Sequence, residues 1–344
     1  MASSPSTSIL DFQTGEDRAE RFHLHPQPGS AGLMLQGNPV GTLTTDPITT
    51  EPFNELLPSW NATLVPGGTL TLHVRVQVSD DRWTKWYSFG TWQTEPGRNS
   101  EDGQDDEDAR VLTDTLRLET LATTYQARVT LQGEGSQLHL LTFATSERAH
   151  LTGTPRPGQP EHWGVELAVP EYSQMEHEGG SGWCSPTSLA MVLGALGTQV
   201  SVPETAAAVY DEEYPGAGNW VFNVAHAGQL GYHAHLTRLP DLQAAEALIA
   251  QGVPLILSIR WGEGELPGAP IPSCNGHLVV LRGFDGEGQP IVNDPAAATA
   301  AEVRRTYPRA DFERQWLVHS GGLAYVIRHR EGQLKEIPAS TTDR

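Results

Sequence analysis

The period of the apolar residues changes near the middle of this chain. From 69 to 78 every second residue is Leu or Val or faces one, which is the period of a strand with one buried side. Short runs at 83–89, 115–118, 125–131 and 138–143 repeat that character between turns. Strands at this spacing, with little helical pattern, predict an all-β, sandwich-like domain over 1–150. A Gly- and Pro-rich stretch then reads as a linker over 151–164. Beyond it the period lengthens. Leu189, Val192, Leu193 and Leu196 recur at helical spacing after a glycine-rich loop, with Ser185 expected as the N-cap and Pro186 in the first turn. Helices are also expected at 202–210, 219–227 and 241–250, the last stopped by Gly252. Apolar runs at 253–259, 276–281 and 290–295 follow as strands, the last ending on an Asp-Pro turn. The Gly-rich stretch 283–288 joins the two later strands as a hairpin. Helices first and an antiparallel sheet afterwards make 165–330 an α+β domain, with 331–344 as a tail.

Candidate chemistry sits at the junctions of these elements. Cys184, one of two cysteines, lies where the glycine-rich loop turns into a helix. Backbone N–H groups and the positive end of the helix dipole favour thiolate there. His277 begins one strand and Asp294 ends its neighbour, so antiparallel pairing brings them side by side. A carboxylate on one imidazole nitrogen fixes the tautomer and leaves the other nitrogen to face a thiol. Taken singly, a buried thiol, a strand-edge histidine and a turn aspartate each have an ordinary structural reading. Together they supply a nucleophile, a base and an orienter.

The order Gln174, Trp183-Cys184-Ser185-Pro186-Thr187-Ser188, Asn219-Trp220-Val221-Phe222-Asn223, Gly276-His277-Leu278 and Asn293-Asp294-Pro295 resembles the papain-like cysteine peptidases. It is most similar to the bacterial double-glycine-leader (bacteriocin-processing) peptidase family and its relatives, over 165–330. The resemblance implies an α+β papain-like fold and a hydrolase that works without a cofactor. It implies Cys184 as nucleophile, His277 as base, Asp294 as orienter and Gln174 as the side-chain donor of the oxyanion hole. Here Met175 to Gly182 separate Gln174 from Cys184, a longer spacing than is typical of such sites. Asn219 and Trp220 would floor the substrate cleft, with helix packing as the alternative. The implied partner is a peptide or protein substrate. Leader peptidases of this kind are usually fused to an exporter, and no apolar run here is long enough to cross a bilayer. Two other readings stay open: a papain-like amidase or acyltransferase, and a catalytically silent protein that binds peptides or glycans.

Composition adjusts this picture at a few points. A chain of 344 residues exceeds the usual single domain. With 42 acidic against 22 basic residues, the formal net charge of -20 disfavours nucleic acid and anionic membranes as partners. Two cysteines make no disulfide framework, and Cys274 is expected as an unpaired bystander, a regulatory pairing with Cys184 being the alternative. Residues 1–7 carry no basic segment before an apolar one, so a cytoplasmic location is the default expectation, and secretion the alternative if an export signal has been removed. Trp60, Trp83, Trp86 and Trp92 are expected in the core, with a stacking platform as the other reading. The acidic run 101–108 is expected as a mobile solvated loop and not a calcium site. Asn61-Ala62-Thr63 matches a glycosylation acceptor by chance composition. His233 and His235 share a strand face but lack a third ligand, so no metal is expected.

Overall fold

A computed structural model of the chain describes residues 5–12, 19–26, 32–150 and 155–330. The tail expected at 331–344 and the first residues of the expected linker, 151–154, lie outside the described residues. Five α-helices are described: α1 (Cys184–Ala195), α2 (Val202–Val209), α3 (Trp220–Gln229), α4 (Leu242–Ile249) and α5 (Arg309–Ser320). The chain divides into two compact units, 1–148 with 208–236 and 149–207 with 237–344.

The first unit has an antiparallel β framework, as its period-two pattern predicts. Along Thr69–Ser79 the residues Leu70, Leu72, Val74 and Val76 are fully buried and alternate with half-buried neighbours. Two long strands depart from the expected runs. Thr115–Gln132 merges the runs at 115–118 and 125–131 and changes partners along its length: Leu116 faces Leu56, and from Thr124 onward it pairs with Thr69–Ser79. Ile48–Thr63 carries Pro52 and Pro58. Proline removes a ladder donor, and this hid the strand in the sequence. These long strands join the described strands of the unit's 1–148 segment into one continuous twelve-stranded sheet.

Helix α3 belongs to this unit, which departs from a boundary at 150. Its Phe222 ring lies 5.5 Å from Trp92 and 6.4 Å from Trp60, both buried. Asn61 fixes the following segment: its side chain donates to the carbonyl of Ala234 (2.8 Å) and accepts from the Ala234 N–H (3.0 Å). A buried asparagine so engaged is closed to glycosylation. Trp60 and Trp92 thus settle as core. Trp83 and Trp86 instead enclose the Arg75 guanidinium, 4.7 Å from each ring, and Arg128 stacks 4.3 Å over Trp86. The acidic run is a largely exposed loop whose Asp106 and Asp108 are held by neighbouring side chains. Asp106 accepts from Tyr87 Oη at 2.7 Å and pairs with Lys85 at 2.9 Å, while Arg82 grips both oxygens of Asp108.

The second unit carries an antiparallel sheet in the order Leu323–Arg328, Leu255–Trp261, Cys274–Phe284, Pro290–Asn293, Arg304–Thr306. Val165–Glu166 pairs with the end of Cys274–Phe284. Helix α1 lies against Cys274–Phe284 and Leu255–Trp261. Its spacing suggests one apolar face, yet residues 185–193 are all buried. The sheet covers one side, and Pro170 and Tyr172 cover another, next to Gly194 and Met191. Burial of each large side chain contributes roughly 1.5–3 kcal/mol. Asp241 caps α4 by accepting from the Ala244 N–H at 2.9 Å, as a helix start there requires. Helix α5 was not legible, because Phe312, Trp316 and Leu317 are scattered among charges. It packs on Leu255–Trp261 through Phe312 and Trp316, and Ser320 Oγ donates to the Ser258 carbonyl at 2.7 Å.

Candidate active site

Cys184 is the first residue of α1, which starts two residues earlier than the Ser185 cap predicts. The N-cap is Trp183, delivered by a tight turn over Gly180–Gly182 whose Gly180 carbonyl accepts from the Trp183 N–H at 2.9 Å. Gly180 is required there, since a Cβ would fall 1.9 Å from the Gln174 carbonyl. Ser185 faces inward, and its hydroxyl bonds the Tyr325 hydroxyl at 2.9 Å. Pro186, third in the helix, costs no hydrogen bond because N–H groups of the first turn have no helical partner. One turn on, Ser188 Oγ donates to the Leu278 carbonyl at 3.1 Å and fastens the helix to the strand that bears His277.

His277 stands near the start of Cys274–Phe284, opposite Ile259, and Asp294 follows Pro290–Asn293. The antiparallel register places them as expected: His277 Nε2 donates to Asp294 Oδ1 at 2.7 Å, with both side chains buried. That bond leaves Nδ1 for the thiol of Cys184, to which the imidazole hydrogen bonds. Asp294 Oδ1 also accepts the Ala296 N–H at 3.0 Å, and Oδ2 accepts from the Tyr307 hydroxyl at 2.7 Å. The Trp261 ring meets His277 edge-on at 5.5 Å, and its Nε1 donates to the Ile271 carbonyl at 3.1 Å.

The electrostatics follow from these contacts. Burial pushes the Cys184 thiol up, but the hydrogen bond and charge of His277, with the N–H groups of Leu278 and Ser185, outweigh it and lower the pKa. Burial alone would discharge His277. The Asp294 carboxylate beside it, and the thiolate, hold the imidazole protonated well above its ordinary range. Asp294 is lowered, burial being overcome by His277, Tyr307 and the Ala296 N–H. These directions favour thiolate, imidazolium and carboxylate over the neutral forms.

Gln174 reaches this region by a different route from the one expected. It is buried, and its Nε2 donates to the carbonyls of Gly180 (3.0 Å) and Ser181 (2.8 Å). Both amide hydrogens are engaged in holding the turn before Cys184, while Oε1 has no partner among the described residues. The longer spacing from Gln174 to Cys184 has this physical meaning: the extra residues fold back and occupy the amide. Its backbone N–H donates to the Pro295 carbonyl at 2.9 Å, tying the turn to the aspartate loop. A cavity of about 410 Å³ flanks the same segment, lined by Glu171, Tyr172, Ser173, Glu176, His177 and Val202 among others.

Asn219 and Trp220, expected in the substrate cleft, lie in the first unit. Asn219 is buried as the N-cap of α3, accepting from the Phe222 N–H at 3.1 Å and donating to Asp211 at 2.8 Å. The Trp220 N–H donates to Asp114 at 2.9 Å. Capping accounts for that part of the pattern. Cys274 is half-buried and free, its Sγ 3.2 Å from the Gly276 carbonyl. Among the described residues no group of His, Cys, Asp or Glu could hold a metal ion. No described helix is long and apolar enough to cross a membrane. Tyr307 and Trp261 were missed in the sequence. Both are aromatic residues outside any motif, and only the tertiary contacts single them out.

Residues 166–323 match the model of the Peptidase C39-like family, and residues 27–146 match that of the Peptidase C39 N-terminal domain. Among solved structures, a provisionally assigned C39-like peptidase from Bacillus anthracis is similar at 21% identity, covering 48% of this chain and 98% of its own, with a TM-score of 0.37. A GH26-CBM35 β-(1,4)-mannanase from Podospora anserina is similar at 10% identity over 55% of this chain and 34% of its own, with a TM-score of 0.23. Both scores are too low to add to the family assignment. A search of curated proteins returned no significant match.

Proposed function

We propose that this chain, whose residues 166–323 match the C39-like peptidase family, cleaves peptide bonds with Cys184 as nucleophile, His277 as base and Asp294 as orienter. The single observation that carries this reading is the continuous relay from the half-buried Cys184 thiol through the buried His277 to the buried Asp294. A papain-like α+β arrangement is supported by helix α1 presenting its first residue to an antiparallel sheet.

In this mechanism the Cys184 thiolate attacks the scissile carbonyl carbon. The oxyanion forms against the Cys184 backbone N–H at the start of α1, where no intrahelical partner exists and the dipole is favourable. The His277 imidazolium gives its proton to the leaving amine, the C–N bond breaks and a thioester remains. Neutral His277 then takes a proton from water, whose oxygen attacks the thioester, releasing the acid and restoring the ion pair. Gln174 contributes by fixing the turn that aims Cys184. An oxyanion bond from its Nε2 requires release of the Gly180 or Ser181 carbonyl.

Cys184→Ala is expected to abolish hydrolysis of a peptide library by at least about 10³-fold while leaving the thermal melt in place. Hydrolysis that survives in Cys184→Ala, or iodoacetamide that labels Cys274 and spares Cys184, refutes the assignment. Cleavage products mapped by mass spectrometry give the substrate preference.

A further inference from the structure

We propose that Tyr307 is a positioning residue of this reaction: its hydroxyl holds Asp294 turned toward His277 and charged, so that His277 keeps the Cys184 thiol ionised. The inference rests on the catalytic reading above and extends it to a residue outside every motif of the sequence. Asp294 is fully buried, Tyr307 is 1% exposed and His277 3% exposed, so bulk solvent does not reach this carboxylate. Its two oxygens are divided. Oδ1 accepts from His277 and Ala296, and Oδ2 accepts from Tyr307 at 2.7 Å. Without the phenol, Oδ2 loses the side-chain donor that balances the pull of His277 and Ala296 on Oδ1. A buried carboxylate in that state rotates, takes up a proton, or both. Either change removes the charge that keeps the imidazole protonated.

The backbone fixes Tyr307 for this task. It follows the strand Arg304–Thr306, which pairs with Pro290–Asn293, and its N–H donates to the Pro290 carbonyl at 3.1 Å. The strand that ends at Asp294 and the residue that holds Asp294 are therefore tied at both ends. The phenol ring stacks on Phe312, centroids 5.8 Å apart and 14° from parallel. Burial and the adjacent carboxylate raise the phenol pKa far above its ordinary value, so it remains a donor over the working range.

The test is the pH dependence of iodoacetamide labelling at Cys184 in the full chain, read by mass spectrometry with the thiolate absorbance, for wild type, Tyr307→Phe and Phe312→Leu. Tyr307→Phe keeps the ring and deletes the hydroxyl. Its labelling at neutral pH is expected to fall by about tenfold, as loss of one charge-assisted hydrogen bond implies, and to recover only toward the ordinary thiol pKa of about 8.5. kcat is expected to fall in parallel with little change in KM. Phe312→Leu loosens the packing but retains the hydroxyl, and is expected to lower the melting temperature without moving the labelling profile. A wild-type profile in Tyr307→Phe overturns the proposal and leaves the Cys184–His277 pair intact. Failure of Tyr307→Phe to fold makes the hydroxyl structural and also overturns it. If wild-type Cys184 itself labels as an ordinary thiol, the catalytic reading fails and this proposal with it.

Discussion

At Cys184 two forces oppose each other. Burial favours the neutral thiol, and an imidazolium with two backbone N–H groups favours the thiolate; the second set prevails. His277 is raised from its ordinary 6.5 for the complementary reason, and Asp294 is lowered from 3.8. The signs define a pH window. Below the lowered thiol pKa the thiolate takes up a proton, and above the raised imidazole pKa the general acid is lost. A kcat/KM profile is therefore expected to be bell-shaped, with a plateau across neutrality that extends above 6.5 on its alkaline side. A profile that rises monotonically toward pH 9 would contradict this assignment. The same shifts bear on stability. The His277 contribution is full below pH 6.5 and fades as pH rises through its folded pKa, while that of Asp294 is present above 3.8 and fades as pH falls through its own. At this scale the sequence was informative for Cys184, His277 and Asp294, because their chemistry and order are local. It was silent on Tyr307, whose role exists only through one bond across the fold.

At the scale of elements, the site depends on how a helix start, two strands and the connecting turns are locked together. Ser188 fastens α1 to the histidine strand, and the turn after that strand is equally constrained. Gly288 has a φ of +77°, and a Cβ there would lie 2.4 Å from the Trp163 ring. Trp163 cannot yield freely, since its Nε1 donates to the buried Glu246 at 2.8 Å. Gly288→Ala is therefore expected to destabilise by about 2–3 kcal/mol through left-handed strain and collision, visible as a lower denaturant midpoint. An unchanged midpoint would mean that the turn relaxes at no cost. Four helices and the central strands were legible from period and caps. Strands carrying proline and a helix as polar as α5 were not, because their stability comes from what covers them and not from local pattern.

For the whole molecule, the informative result is that 208–236 folds with residues 1–148. A cut at 150, which composition suggests, would strip α3 and Phe222 from Trp60 and Trp92 and remove the Ala234 partner of Asn61. A 1–148 fragment is expected to bind a hydrophobic dye and to melt without cooperativity, unlike the full chain. A cooperative melt with no dye binding would show that the β framework stands without this helix. The two matched segments, 27–146 and 166–323, divide near residue 150, whereas the contacts group 208–236 with 1–148.

By itself the sequence determined the change from β period to helical period, the helix start at Cys184 and the order of thiol, imidazole and carboxylate. These are encoded in residues close together or in chemistry that few residue types possess. Only the tertiary structure decided that Gln174 spends its amide on the Gly180–Ser181 turn, that Asn219 is a cap, that α3 joins the β unit and that Tyr307 faces Asp294. Each of these is a contact between surfaces or side chains whose partner is set by packing. Hydrophobic burial fixes which face turns inward but not what it meets there.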